Sequence, residues 1–89
     1  MKTIYKYPLE ITDSQIIKMP INAEILHSGL DPQGTPCVWA AVNTGNADED
    51  QTVWIVGTGN PIPRQARRHL GSFVQPPYVW HAFLGENAK

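Results

Sequence analysis

The arginines of this sequence form one short cluster that suits anion binding. All three fall within five positions, at Arg64, Arg67 and Arg68. Arginine offers a planar fork of donors that matches phosphate or carboxylate. On a helix, residues three or four apart share a face. The cluster therefore predicts a site for a small anionic ligand. The alternative is a solvated surface whose arginines pair with the acidic run Asp48-Glu49-Asp50.

A glycine-flanked threonine, Gly57-Thr58-Gly59, precedes the arginines by a few residues. Backbone N–H groups in such a turn, together with the Thr58 hydroxyl, can bind an anion. No Gly-Lys-Ser/Thr sequence follows, so this is not a P-loop. The alternative is a tight turn that needs positive φ, and the two roles are compatible. We predict that this turn and the arginine cluster together form a ligand site.

Aromatic side chains provide the second half of the predicted site. A domain of this size cannot bury all three of its tryptophans deeply, so at least one should lie at a ligand surface or a subunit interface. Tyr78 and Trp80, just after Pro76-Pro77, are the pair we select. A purine or pyrimidine would stack well on these rings. The alternative for both rings is the core or a contact between subunits.

The residue types used in metal binding and nucleophilic catalysis occur without the expected spacing. The histidines are His27, His69 and His81, and the serines are Ser14, Ser28 and Ser72. No two histidines have metal-ligand spacing, and the one cysteine, Cys37, lies in an apolar stretch where a thiol is inert. No serine has the context of a nucleophile elbow. We therefore expect no enzyme activity, no metal and no cofactor.

Length and composition indicate one small domain over residues 1–89. Charged residues are 17% of the chain, against about 25% in typical domains, and a surface poor in charge favours a homo-oligomer. The net charge of −1 argues against a nucleic-acid binder. A single cysteine favours a reducing compartment. No signal peptide and no membrane span are recognisable, so the predicted location is the cytoplasm.

Glycine and proline divide the chain into short apolar or alternating runs typical of strands. The predicted strands are Thr3–Ile11, Gln15–Met19, Ala23–Ser28, Pro36–Val42, Thr52–Val56, Leu70–Gln75 and Tyr78–Leu84. Pro8 requires the first to lie at a sheet edge or to bend there, and Pro36–Val42, apolar on both faces, is expected to be central. Ile62–His69 is the one predicted helix. The predicted fold is all-β with one short helix, as a small antiparallel sandwich or partly open barrel.

Five short stretches, in order over most of the chain, carry a resemblance to known proteins. They are Lys6-Tyr7-Pro8-Leu9, Ile25-Leu26-His27, Val38-Trp39-Ala40, Ile55-Val56-Gly57-Thr58-Gly59 with Pro61, and Val79-Trp80-His81 with Phe83. In these stretches the chain resembles a family of small phage and prophage proteins of unassigned function. The resemblance implies a phage origin and action in the bacterial host cytoplasm. It brings no established site residues with it.

These observations lead to two functional hypotheses. The first is a non-catalytic, oligomeric protein that sequesters a nucleotide-type anion, such as a cyclic nucleotide signal of bacterial immunity. The second is a protein-interaction or structural accessory that binds a host or phage protein. In the second hypothesis the arginines make salt bridges to the partner instead of binding phosphate.

Overall fold

A computed structural model describes residues 1–87 of the chain, and these residues form seven strands without a helix. The strands are β1 (Lys2–Pro8), β2 (Ser14–Pro20), β3 (Glu24–Leu30), β4 (Pro36–Asn43), β5 (Asp48–Gly57), β6 (Ala66–Gln75) and β7 (Tyr78–Gly85). The all-β fold class is therefore confirmed. No helix among the described residues could span a membrane.

The strands form two antiparallel sheets that pack as a sandwich, not as a closed barrel. One sheet has the order β1-β4-β3 and the other has the order β2-β5-β7-β6. The core between them is apolar and includes Val38, Val53, Ile55, Phe73 and Ala82. As the sequence predicted, β1 is an edge strand and the apolar β4 is central in its sheet.

The predicted helix over Ile62–His69 is wrong. Strand β6 begins at Ala66 and pairs with β7 over its whole length, from Ala66 opposite Gly85 to Gln75 opposite Tyr78. A helix of one or two turns is marginal in water. A strand of ten residues, which pairs with β7 except at two bulges and buries apolar side chains, outweighs the local helix preference of the arginine segment.

The connection between β5 and β6 must cross β7, because β7 lies between these two strands. Side chains alternate along β5 and β7. Val53, Ile55 and Ala82 face the core, so Val56, His81 and Phe83 face outward. Ile62 of the connection lines one cavity together with these three outward side chains. Residues 58–65 therefore cover part of the outer face of the four-stranded sheet.

Candidate functional site

A pocket of about 470 Å³ lies beside the end of β5, and we name it the edge pocket. Its lining residues are Ile11, Thr12, Asp13, Trp54, Ile55, Val56, Gly57, Asn60, Pro61, Pro63 and Trp80. The volume falls in the range of small-molecule sites, roughly 300–1,000 Å³. Mostly apolar walls with a few polar groups are also typical of such sites.

The edge pocket exists because β5 continues beyond its neighbour β2. Strand β2 begins at Ser14, which pairs with Trp54, so the last residues of β5 have no strand on that side. The Ile55 N–H donates to the Asp13 carbonyl at 3.1 Å. Peptide groups alternate in direction along a strand, so the Gly57 N–H points to the same side as that of Ile55. The pocket therefore meets a stretch of strand edge.

Trp80 contributes an aromatic wall and a buried hydrogen-bond donor. Its Nε1–H is buried, and within residues 1–87 it has no hydrogen-bond partner. A buried donor without a partner costs about 1–3 kcal/mol. Gly57 permits this packing, because a Cβ there would lie 3.2 Å from Cζ3 of Trp80. Tyr78 packs on Trp80, with ring centroids 5.4 Å apart, and is largely exposed.

The charges around the edge pocket are unevenly placed. Among residues 1–87, Asp13 is the one ionisable residue in its lining. None of the three arginines lines it, but the exposed Arg64 directly follows the lining residue Pro63. The pocket interior therefore suits an uncharged ring that carries donors, and a negatively charged group would have to extend toward Arg64.

The arginines do not share a helix face, because the helix predicted over Ile62–His69 does not form. Arg67 forms an ion pair with Glu86, and Arg68 lies in β6 opposite Leu84. Asp50 of the acidic run pairs instead with Lys18 at 2.6 Å, and within residues 1–87 no ion pair joins this run to the arginines. A ligand role for Arg67 and Arg68 stays a prediction.

The arginine segment and the glycine turn also lie at different ends of β7. Gly57 is opposite Trp80, whereas Ala66 is opposite Gly85. The difference from 80 to 85 is five residues, or about 17 Å at roughly 3.3 Å per residue. One compact anion pocket built from the glycine turn and all three arginines does not fit this separation.

The segment Gly57-Thr58-Gly59 forms a tight turn with a positive φ, which is one of the two interpretations of its sequence. Gly59 has a φ of +91°, and the Asn60 N–H donates to the Gly57 carbonyl at 3.0 Å. Gly57, Thr58 and Gly59 line a second pocket, of about 280 Å³. Its other lining residues are Val56, Asn60, Ile62, His81 and Phe83.

A hydrogen-bonded row of side chains crosses the outer face next to this second pocket. Thr58 Oγ1 lies 2.8 Å from His81 Nε2. Ser72 Oγ lies 2.7 Å from His81 Nδ1 and 3.1 Å from His69 Nε2. Sequence reasoning missed this row, because these residues are brought together by the β6–β7 register, in which Ser72 is opposite His81.

Cys37 and the histidines form no metal site in the described part of the chain. Among residues 1–87, no three His, Cys, Asp or Glu side chains lie close enough together to hold a metal ion. The Cys37 side chain is fully buried, and its burial raises the pKa of the thiol. Such a thiol is a poor nucleophile at neutral pH.

Comparison with curated proteins and with solved structures gives no match. Comparison with protein-family models gives one family, described as a domain of unknown function, DUF7352, whose model matches residues 1–89. A phage origin stays a prediction from the short sequence stretches. Since the match covers the whole chain, the protein belongs to the DUF7352 family.

Proposed function

We propose that this protein is a non-catalytic binding protein for a nucleotide-type ligand, whose base enters the edge pocket. The observation that carries the proposal is the buried Trp80 Nε1–H, which lacks a partner among residues 1–87 and belongs to a residue that lines the pocket. A heteroaromatic base supplies a flat surface for the aromatic wall and, once the Trp80 ring turns to uncover this donor, the acceptor for it.

The strand edge provides the remaining contacts to the base. Purine and pyrimidine edges carry donors and acceptors in one plane, and the Gly57 N–H on the free side of β5 is a matching donor. The carboxylate of Asp13, a lining residue, would accept a hydrogen bond from an exocyclic amino group. These polar groups orient the ring, while Trp54 and Trp80 contribute apolar contact area.

The anionic part of the ligand would extend toward Arg64, which is exposed at the rim beside Pro63. Arg67 is already held by Glu86 and would contribute less. Binding alone removes a signal from solution, so sequestration of a cyclic nucleotide needs neither an acid nor a base in the pocket. A homo-oligomer would present several such pockets.

Isothermal titration calorimetry against nucleosides, nucleotides and cyclic dinucleotides tests the proposal. Trp80→Phe keeps an aromatic ring and removes only the N–H, so the affinity should fall about 5-fold, the equivalent of one net hydrogen bond. Trp39→Phe in the other sheet is the matched control and should bind like the wild type. Absence of heat with every compound at micromolar protein would contradict the proposal, as would equal losses in both variants.

The second candidate, an accessory that binds a host or phage protein, is favoured by apolar side chains in the three-stranded sheet. Ile4 is 59% exposed and Leu26 is 49% exposed, and large exposed apolar patches mark interaction surfaces. Affinity purification from infected cells separates the candidates. A stoichiometric protein that is retained by the wild type and lost with Ile4→Glu supports the second, whereas a nucleotide released on heating supports the first.

A further inference from the structure

The outer face of the four-stranded sheet holds a histidine with both ring nitrogens in hydrogen bonds to hydroxyl groups. We assign the Thr58 hydroxyl proton to the Val79 carbonyl, 3.3 Å away, which leaves a lone pair of Thr58 Oγ1 to accept from His81 Nε2 at 2.8 Å. In this assignment His81 carries its proton on Nε2. Its Nδ1 is left as an unprotonated acceptor.

The same assignment gives the direction of the hydrogen bond between this ring and Ser72, which lies on its other side. Ser72 Oγ lies 2.7 Å from His81 Nδ1 and donates its only proton there. Its lone pairs accept from His69 Nε2 at 3.1 Å. The His69 ring is held in turn by an edge contact with Phe83, with centroids 5.3 Å apart. Ser72 is an exposed residue, so a reactant can approach it from solvent.

We propose that Ser72 is a reactive serine that is acylated by activated esters, with His81 as its general base. A nucleophile that donates to a base, which a third group orients, is the arrangement that activates serine in acyl transfer. Here the third group is Thr58, which accepts from the opposite nitrogen of the ring. The reacting groups include neither Trp80 nor any arginine, although the two pockets share Val56, Gly57 and Asn60.

The chemistry of the step is a simple acyl transfer. Ser72 Oγ attacks the carbonyl carbon of the ester, and its proton passes to His81 Nδ1. The bond between that carbon and the leaving oxygen then breaks, and the leaving alcohol takes the proton from His81. The products are one acyl-serine ester and one free alcohol. No oxidant, metal or further reactant is needed.

The pocket next to His81 indicates which acyl groups would fit. It has a volume of about 280 Å³, and its lining includes the apolar side chains of Val56, Ile62 and Phe83. Such walls bind a short hydrocarbon chain better than a charged group. The ligand class is therefore a short, uncharged acyl ester.

The test is intact-mass spectrometry of the wild-type chain after incubation with p-nitrophenyl butyrate, followed by peptide mapping. We expect one butyryl group per chain, located at Ser72, with release of one equivalent of p-nitrophenol. Ser72→Ala should abolish the modification. His81→Phe, which keeps a ring but removes the base, should slow it at least about 100-fold. Ser14→Ala, on β2 of the same sheet, is the control and should react like the wild type.

Peptide mapping of the butyryl group uses only the wild-type protein. The test therefore remains valid even if a variant fails to fold. A butyryl group found on lysine or on another serine would overturn the proposal. So would a chain that remains unmodified, or a folded His81→Phe variant that reacts at the wild-type rate.

Discussion

Gly71 of β6 lies directly against the backbone carbonyl of Ser28 in β3, where the two sheets meet. A Cβ at position 71 would overlap that carbonyl, and neither group belongs to a flexible side chain. Ser28 is fully buried, and its Oγ donates to the Cys37 carbonyl at 2.9 Å. This contact fixes how closely β3 can pack on β6.

The Gly71→Ala variant should therefore be strongly destabilised. Overpacking a tight core costs typically 1–3 kcal/mol, and a clash with backbone should reach the upper end, about 3 kcal/mol. Urea unfolding followed by tryptophan fluorescence measures the loss. Gly45→Ala is the matched control, because its nearest neighbour would be Asn43 Oδ1 at 3.5 Å, an ordinary contact. Similar midpoints for the two variants would show that the sheets can separate at little cost.

Asp31 should make the folded state sensitive to acid. The Thr35 N–H and the Lys6 ammonium, each 2.9 Å from a carboxylate oxygen, lower the pKa of Asp31. Because the folded state favours the charged form, Asp31 contributes its full stabilisation above the ordinary value of 3.8. This contribution is lost as the pH falls below 3.8 through the lower pKa of the folded state.

Unfolding midpoints measured from neutral pH downward test this expectation. Asp31→Asn should be less stable than the wild type at neutral pH, and the difference should shrink as the pH falls below 3.8. Asp50→Asn removes the exposed partner of Lys18 and serves as the control, with little effect at any pH. A constant difference between Asp31→Asn and the wild type over the whole range would contradict the linkage.

The strands were predictable because their patterns are local. Pro8 indicated that β1 lies at an edge or bends, and the apolar run Pro36–Val42 indicated a central strand. In the structure β1 is an edge strand and β4 is central. The segment Ile62–His69 was not predictable, because its composition favours a helix, whereas its structure follows from pairing with β7. That pairing joins residues such as Ala66 and Gly85, and no short window of sequence contains both.

The polar row on the outer face was hidden for the same reason. Thr58, Ser72 and His81 are separated by 14 and 9 positions (72 − 58 and 81 − 72), which matches no motif of nucleophilic catalysis. Register alone places Ser72 opposite His81. The alternation of side chains along a strand did give a partial signal for this row. His81 and Phe83 are two residues apart, so they must share a face of any strand.

Arg64 should distinguish a nucleotide from a nucleoside in the edge pocket. It is exposed and next to the lining residue Pro63, so it can contact a phosphate outside the pocket without being desolvated. Arg64→Ala should weaken nucleotide binding about 5-fold, the equivalent of roughly 1 kcal/mol for an exposed ion pair. Nucleoside binding should not change.

Arg67→Ala is the matched control, because the Arg67 guanidinium is already paired with Glu86. Calorimetry at low and high salt completes the measurement, since screening should weaken nucleotide binding to the wild type more than to Arg64→Ala. Equal losses for nucleotide and nucleoside would show that Arg64 acts on the shape of the pocket and not on the phosphate.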